Sequence, residues 1–361
     1  DTEKSKYKQT DPRDDGNRYC TVSLPCHGIL TGGDSFMHKA IIACDRAIQS
    51  MVNDVTAILK AHHVDITNAG DTEEIPDFTR SAEIAAKAVQ SGAYDRGIVF
   101  CGSGIGVCIA ANKFRGIRAG LAYEILPAAK GSSDYGTNIL CTGAWLNESA
   151  EKCAKMIETW LMCDYSGADD GNIRKTEEIS NTVEAKKSAD AFPGREMPAD
   201  ASGSKIKCCG KKVAVGSDKN GIAVKNAVVC ALLEHGYGVA DVSADLKREE
   251  SGPAVGGGAD CGYFESVQEV CKAVRNGQAD SGILISATGQ EMNLTANKFS
   301  RIRSAVCFNR YTASLSRLDT NVNVLCMGAW STAPEEAAAT ALTWMSVEYC
   351  GNNAECLKKI D

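Results

Sequence analysis

In Val99-Phe-Cys-Gly-Ser-Gly-Ile-Gly-Val-Cys-Ile-Ala-Ala-Asn-Lys113 the Cys101 thiol can serve as nucleophile or base, and three glycines can shape what it acts on. Cys101 closes a short apolar run that reads as a buried strand, which delivers its thiol to the carboxyl edge of a sheet, where open α/β sheets place ligands. Gly102, Gly104 and Gly106 let the backbone turn tightly and aim N–H groups at an anion ahead of a helix. Such a turn holds a phosphate or an enediolate oxygen without a side-chain charge. The spacing is neither G-x-G-x-x-G nor G-x-x-x-x-G-K-[ST], so a nucleotide is not the default ligand. Read blandly, the stretch is a glycine-rich strand-to-helix turn holding a buried Cys. His62-His63 has no Cys or carboxylate to complete a tetrahedral set, and neither a metal nor a cofactor is implied.

The elements that must position this turn occur twice. Asn112-Lys113-Phe114 answers Asn297-Lys298-Phe299 at an offset of 185 (298 minus 113), and Ile117-Arg118, Asp134 and Gly143-Ala144-Trp145 recur at the same offset. The repeat reaches upstream, where Lys39–Asp45 aligns with Lys212–Asp218. Within a copy, short apolar runs at 41–43, 63–66, 97–100 and 138–140 read as strands, separated by helical patterns at 47–61 and 81–92. The second copy repeats them at 213–215, 237–242, 282–285 and 323–325, with helical patterns at 221–235 and 266–277. This rhythm predicts an α/β chain of two Rossmann-like, doubly wound parallel-sheet domains in tandem. The expected boundaries are an arm at 1–38, copy one at 39–166, a linker at 167–211 with at most one helix from Thr176 to Lys187, copy two at 212–350 and a tail at 351–361.

Composition narrows the function class. The 361 residues are 44% hydrophobic and 24% charged, ordinary for a chain with a real core, and no apolar run approaches the ~20 residues of a membrane span. The net charge of -7 argues against nucleic acid, whose phosphates call for a basic face. Of 17 Cys, eight (Cys20, Cys26, Cys163, Cys208, Cys209, Cys261, Cys350, Cys356) fall in loop-like stretches and suggest disulfides; the other nine, Cys230 among them, read as buried. With the triplets Asn147-Glu-Ser and Asn293-Leu-Thr, this predicts an oxidising or secretory compartment. The chain opens at Asp1 with no Met, as a processed chain would, and its Lys/Asp-rich start reads as an unstructured arm.

Ile98–Ala119, Thr137–Gly143 and Cys44-Asp45 together resemble ribose-5-phosphate isomerase B and the related galactose-6-phosphate isomerases, over roughly 39–165 and again 211–350. The resemblance implies two subunits fused as a pseudo-two-fold dimer, and proton transfer between adjacent sugar carbons through an enediolate, without metal or nucleotide. It assigns Cys101 as base, which is sensible chemistry if dipoles lower its pKa. Ser103 lies beside it, Gly102, Gly104 and Gly106 hold the oxyanion, and Asp45 binds sugar hydroxyls. It offers Asn112 and Arg118 as further substrate ligands and Asp319 as a group reaching over from copy two.

Departures from that pattern are as informative. The family's first-strand His is Arg46 or Lys219 here, its ring-opening His aligns with Asp134 and Asp319, and its phosphate-clamping Arg becomes Trp145 and Trp330. Copy two carries Ser286 in place of the Cys, and Gln290 and Glu291 inside the turn, where Glu291 reads as a surface carboxylate on a defunct loop or as a relocated base. These losses favour a pseudoenzyme kept as a structural, self-assembling or binding module, whose partner could be itself. An active aldose–ketose isomerase around Cys101 and a non-catalytic binder of sugar or sugar phosphate are the alternatives.

Overall fold

The computed structural model describes residues 8–10, 19–21, 38–45, 48–69, 77–179, 210–242 and 262–361. Each copy forms an all-parallel five-stranded sheet between layers of helices. In copy one, Ile66–Asn68, Ala40–Cys44, Arg96–Cys101, Ile139–Gly143 and Ala119–Leu121 lie side by side in that order. Copy two repeats the order with Gly238–Asp241, Lys212–Ser217, Ser281–Ser286, Val324–Gly328 and Ser304–Val306.

The sequence suggested four strands per copy; the fifth, Ala119–Leu121 or Ser304–Val306, is only three residues long and carries no apolar signature of its own. An asparagine clip holds it in place. The Asn112 amide donates to the Ala119 carbonyl and accepts from the Ala119 N–H, both at 2.8 Å, and Asn297 repeats this on Ser304. Asn112 is fully buried. It is therefore a strand clip and not the substrate ligand expected. The helix expected from Ser81 begins at Phe78, because the Asp77 carboxylate accepts the Thr79 and Arg80 N–H groups.

The two copies meet as images of each other. Lys113 Nζ donates to the carbonyls of Phe299 and Ile302, and Lys298 Nζ to those of Phe114 and Ile117. At an offset of 185 each contact is the mirror of the other, the signature of an isologous interface. Equivalent residues also meet directly, Cys108 with Asn293 and Tyr123 with Phe308. One apolar core runs through this seam, so the chain is a fused pseudo-two-fold dimer.

Each copy sends an arm onto the other. The stretch expected as linker holds a helix at Asp170–Ile179, and residues in and beside it grip copy two: Tyr263 donates to Asp169 (2.7 Å) and Lys175 pairs with Glu265 (2.9 Å). The chain's end returns the gesture through Lys359 and Asp77 (2.7 Å). The end of the helix expected at Thr176–Lys187 lies outside the described residues. At the start of the chain, Lys8–Thr10 pairs antiparallel with Tyr19–Thr21, where an unstructured arm was expected.

Among the described residues Cys350 and Cys356 are free, so the disulfides expected of those two are absent. Cys163 is buried at a helix end and Cys230 is exposed, the reverse of their sequence reading. The side chains of Cys20, Cys26, Cys208, Cys209 and Cys261 lie outside the described residues. Asn293 is buried in the seam, which leaves no room for a glycan. No described helix is long and apolar enough to cross a membrane.

Candidate active site

Strand register assembles the first-copy site. Cys44 pairs with Phe100, which sets Asp45 level with Cys101 at the point where the strand order reverses, the crevice where α/β sheets take ligands. Beyond Cys101 the chain turns through Gly104 at φ +79°, and a Cβ there would come within 2.6 Å of the Thr142 carbonyl carbon. Only glycine permits that approach. The turn points the Gly104 N–H at Cys101 Sγ (3.1 Å) and the Ile105 N–H at Ser103 Oγ (3.3 Å). Trp145 lies flat against Gly102, where a Cβ would sit 2.5 Å from the indole, yet the ring stays 62% exposed. It forms one wall of the mouth.

Burial pushes the Cys101 thiol up to about 11, against the N–H groups of Val107, Gly104 and Ser103, while the Asp45 charge adds to the rise. The resting group is a protonated thiol, so the lowering expected from dipoles does not prevail. Copy two supplies one edge of the site: Thr320, at the end of helix Arg310–Thr320, approaches Gly106, and Asp319 precedes it. Burial raises the Asp319 carboxyl, which eases its acid form.

Arg118 is not part of this constellation. It precedes Ala119, whose register through Ile139 matches Gly97, roughly 13 Å behind Cys101 along the sheet. It turns instead to the Gly136 carbonyl (2.8 Å) and to Glu177, as Arg303 does to Asp361. The expectation failed because adjacency in sequence to a strand does not say which end of the strand a residue occupies. Histidine is absent from the carboxyl edge among the described residues. His38 precedes strand Ala40–Cys44, while His62, His63 and His235 follow helices that run back to the amino edge. His27 and Arg46 lie outside the described residues.

The second-copy turn has the same backbone and different contents. Gly289 sits at φ +76° and its N–H donates to Ser286 Oγ (2.9 Å). Glu291 is no surface carboxylate: it is buried, accepts from Thr288 Oγ1 (2.7 Å) and has its carboxyl raised by burial. Its neighbours include Asp218 and, from copy one, Tyr135. Gln290 crosses the seam and donates to the carbonyls of Leu121 (3.1 Å) and Pro127 (3.2 Å). Sequence reading missed these roles and that of Tyr123, whose hydroxyl donates to the Ser103 carbonyl at 2.6 Å. A backbone partner twenty residues away leaves no motif; only the polar Gln290 opposite Ile105 carried a signal.

Comparison with known proteins matches the ribose/galactose isomerase family model to residues 40–179 and again to 213–360. Ribose-5-phosphate isomerase B of Escherichia coli is 35% identical over 141 residues, 39% of this chain and 87% of that protein. The 4-deoxy-4-sulfo-D-erythrose isomerase of a Clostridium species is 33% identical over 130 residues, 36% of this chain and 81% of that protein. Among solved structures, ribose-5-phosphate isomerase B of Clostridium thermocellum is 29% identical with a TM-score of 0.38, over 40% of this chain and 99% of that one.

Proposed function

Because the chain belongs to the ribose/galactose isomerase family through both of its halves, we propose that it is an aldose–ketose isomerase with one working site per chain, built by copy one around Cys101. The observation that carries this reading is the pairing of an intact glycine turn with a sulfur that receives its N–H groups at the switch point. Cys101, once ionised, takes the proton from the carbon beside the carbonyl. The turn's N–H groups stabilise the enediolate oxygen, and the thiol returns the proton to the neighbouring carbon. In this reading Asp45 binds hydroxyls, and the Asp319 carboxyl, raised by burial, exchanges a proton with a substrate oxygen. No cofactor enters the balance.

The absence of histidine from this edge, among the described residues, supports an open-chain substrate. A four-carbon sugar whose C4 hydroxyl is replaced, as in the substrate named for the Clostridium relative, has no hydroxyl with which to close a five-membered ring. It needs no ring-opening imidazole. The test is turnover of erythrose 4-phosphate and of ribose 5-phosphate by the wild type and by Cys101→Ala. We expect the tetrose to be converted faster, and both activities to disappear in the variant. A correctly folded wild type that converts neither would return the chain to the second reading, a sugar binder without turnover, which the high thiol pKa and the two Trp at the clamp positions favour.

A further inference from the structure

We propose that Tyr123 is a positioning residue for Cys101: its hydroxyl pins the Ser103 carbonyl so that the next N–H, that of Gly104, stays aimed at the sulfur, and Phe308 of copy two holds the ring in place. The proposal rests on Cys101 being the reacting group of the site.

A trans peptide fixes the direction of its N–H opposite to that of its C=O. The Ser103–Gly104 peptide is followed by a residue at φ +79°, where the backbone is free to swing because glycine carries no Cβ. An external clamp is what removes that freedom. Tyr123 OH donates to Ser103 O at 2.6 Å on one side of the peptide, and Gly104 N–H meets Cys101 Sγ at 3.1 Å on the other. The Tyr123 ring packs edge-on against Phe308, centroids 5.6 Å apart and planes at 74°. Burial keeps the phenol neutral, so it remains a donor. In copy two the equivalent ring is Phe308 itself, which has no hydroxyl, and the residue at the strand end is Ser286. Clamp and thiol occur together in one copy, and neither occurs in the other.

The titratable groups around Cys101 are Asp45 beyond the neighbouring strand, Cys141 on the strand Ile139–Gly143, and Tyr123 itself. Tyr123 in turn faces Cys101, Cys108 and Cys141 from its own copy and Cys307 from the other. Among the described residues, the side-chain donor to the Ser103 carbonyl is the Tyr123 hydroxyl.

The experiment is alkylation of the full chain by iodoacetamide across pH 7 to 10, with the modified cysteines resolved by mass spectrometry and exposed Cys230 as internal reference. Tyr123→Phe should slow Cys101 about five- to tenfold relative to Cys230, the effect of one lost hydrogen bond, and move its pH profile upward. Phe308→Ala should act in the same direction and less strongly. Tyr135→Phe, which removes a hydroxyl at the other turn, should leave Cys101 unchanged. In turnover, Tyr123→Phe should lower kcat and spare KM. A Cys101 profile identical in wild type and Tyr123→Phe overturns the proposal. A shifted profile in a chain that converts no sugar would instead sink the isomerase reading and leave the clamp standing.

Discussion

The two glycine turns of this molecule have the same shape and different contents. Gly104 and Gly289 adopt φ of +79° and +76°, and each donates its N–H to the side chain that ends the preceding strand. The frame is set by backbone geometry that the glycine at positive φ preserves in both copies. Chemistry is set by side chains, and copy two has Ser286 for the thiol, Glu291 filling the turn and Gln290 tying it to copy one. In the proposed reading, the duplicated fold keeps one half for reaction and turns the other into its support.

The largest test of that contrast is to write copy two's residue into copy one. Cys101→Ser should reduce turnover by about 10³-fold, the middle of the range for losing a general base, while Ser286→Ala changes nothing; steady-state kinetics decide it. A Cys101→Ser enzyme near the wild-type rate breaks the comparison. Next comes the support role: Gln290→Ala strands the buried Leu121 carbonyl and the half-buried Pro127 carbonyl and should lower unfolding free energy by about 2 kcal/mol in denaturant titrations. No loss would mean that copy two does not brace copy one.

A pH series sharpens the contrast further, because only the first turn has a thiol at its strand end. The unfolded thiol ionises near about 8.5, the folded one near about 11. Between those values the folded state holds a proton that the unfolded state has released, so rising pH favours unfolding. Wild type should lose stability relative to Cys101→Ser across that window and not below it. The same resting thiol makes turnover rise with pH from neutral upward. The smallest expected effect lies where the copies are alike: Lys113→Met and Lys298→Met should cost about 1 kcal/mol each and match, since their contacts are images of each other. Unequal losses would show the seam to be less symmetric than its hydrogen bonds.

Much of this was legible in the chain. Cys101 and Asp45 could be placed at one sheet edge because each ends an apolar strand run, and the 185-residue offset foretold the paired sheets. Arg118 and Asn112 were misplaced for the same underlying reason. They flank or clip a three-residue strand too short to show a period, so its direction and its role in holding Asn112 could not be read. Glu291 looked like surface because its type is usually exposed, and only the packing around the turn made it a buried acceptor.

The sequence by itself determined the duplication, the α/β alternation and the strand-end thiol with its glycines, because these depend on local periodicity and on where small residues permit a turn. Tertiary structure alone decided what surrounds that thiol: Thr320 of the other copy against Gly106, Tyr123 on a backbone carbonyl, Arg118 turned to the far edge. Those are long-range contacts whose partners are separated along the chain or are main-chain atoms, and such pairings are written in the packing of the two halves rather than in any stretch of residues.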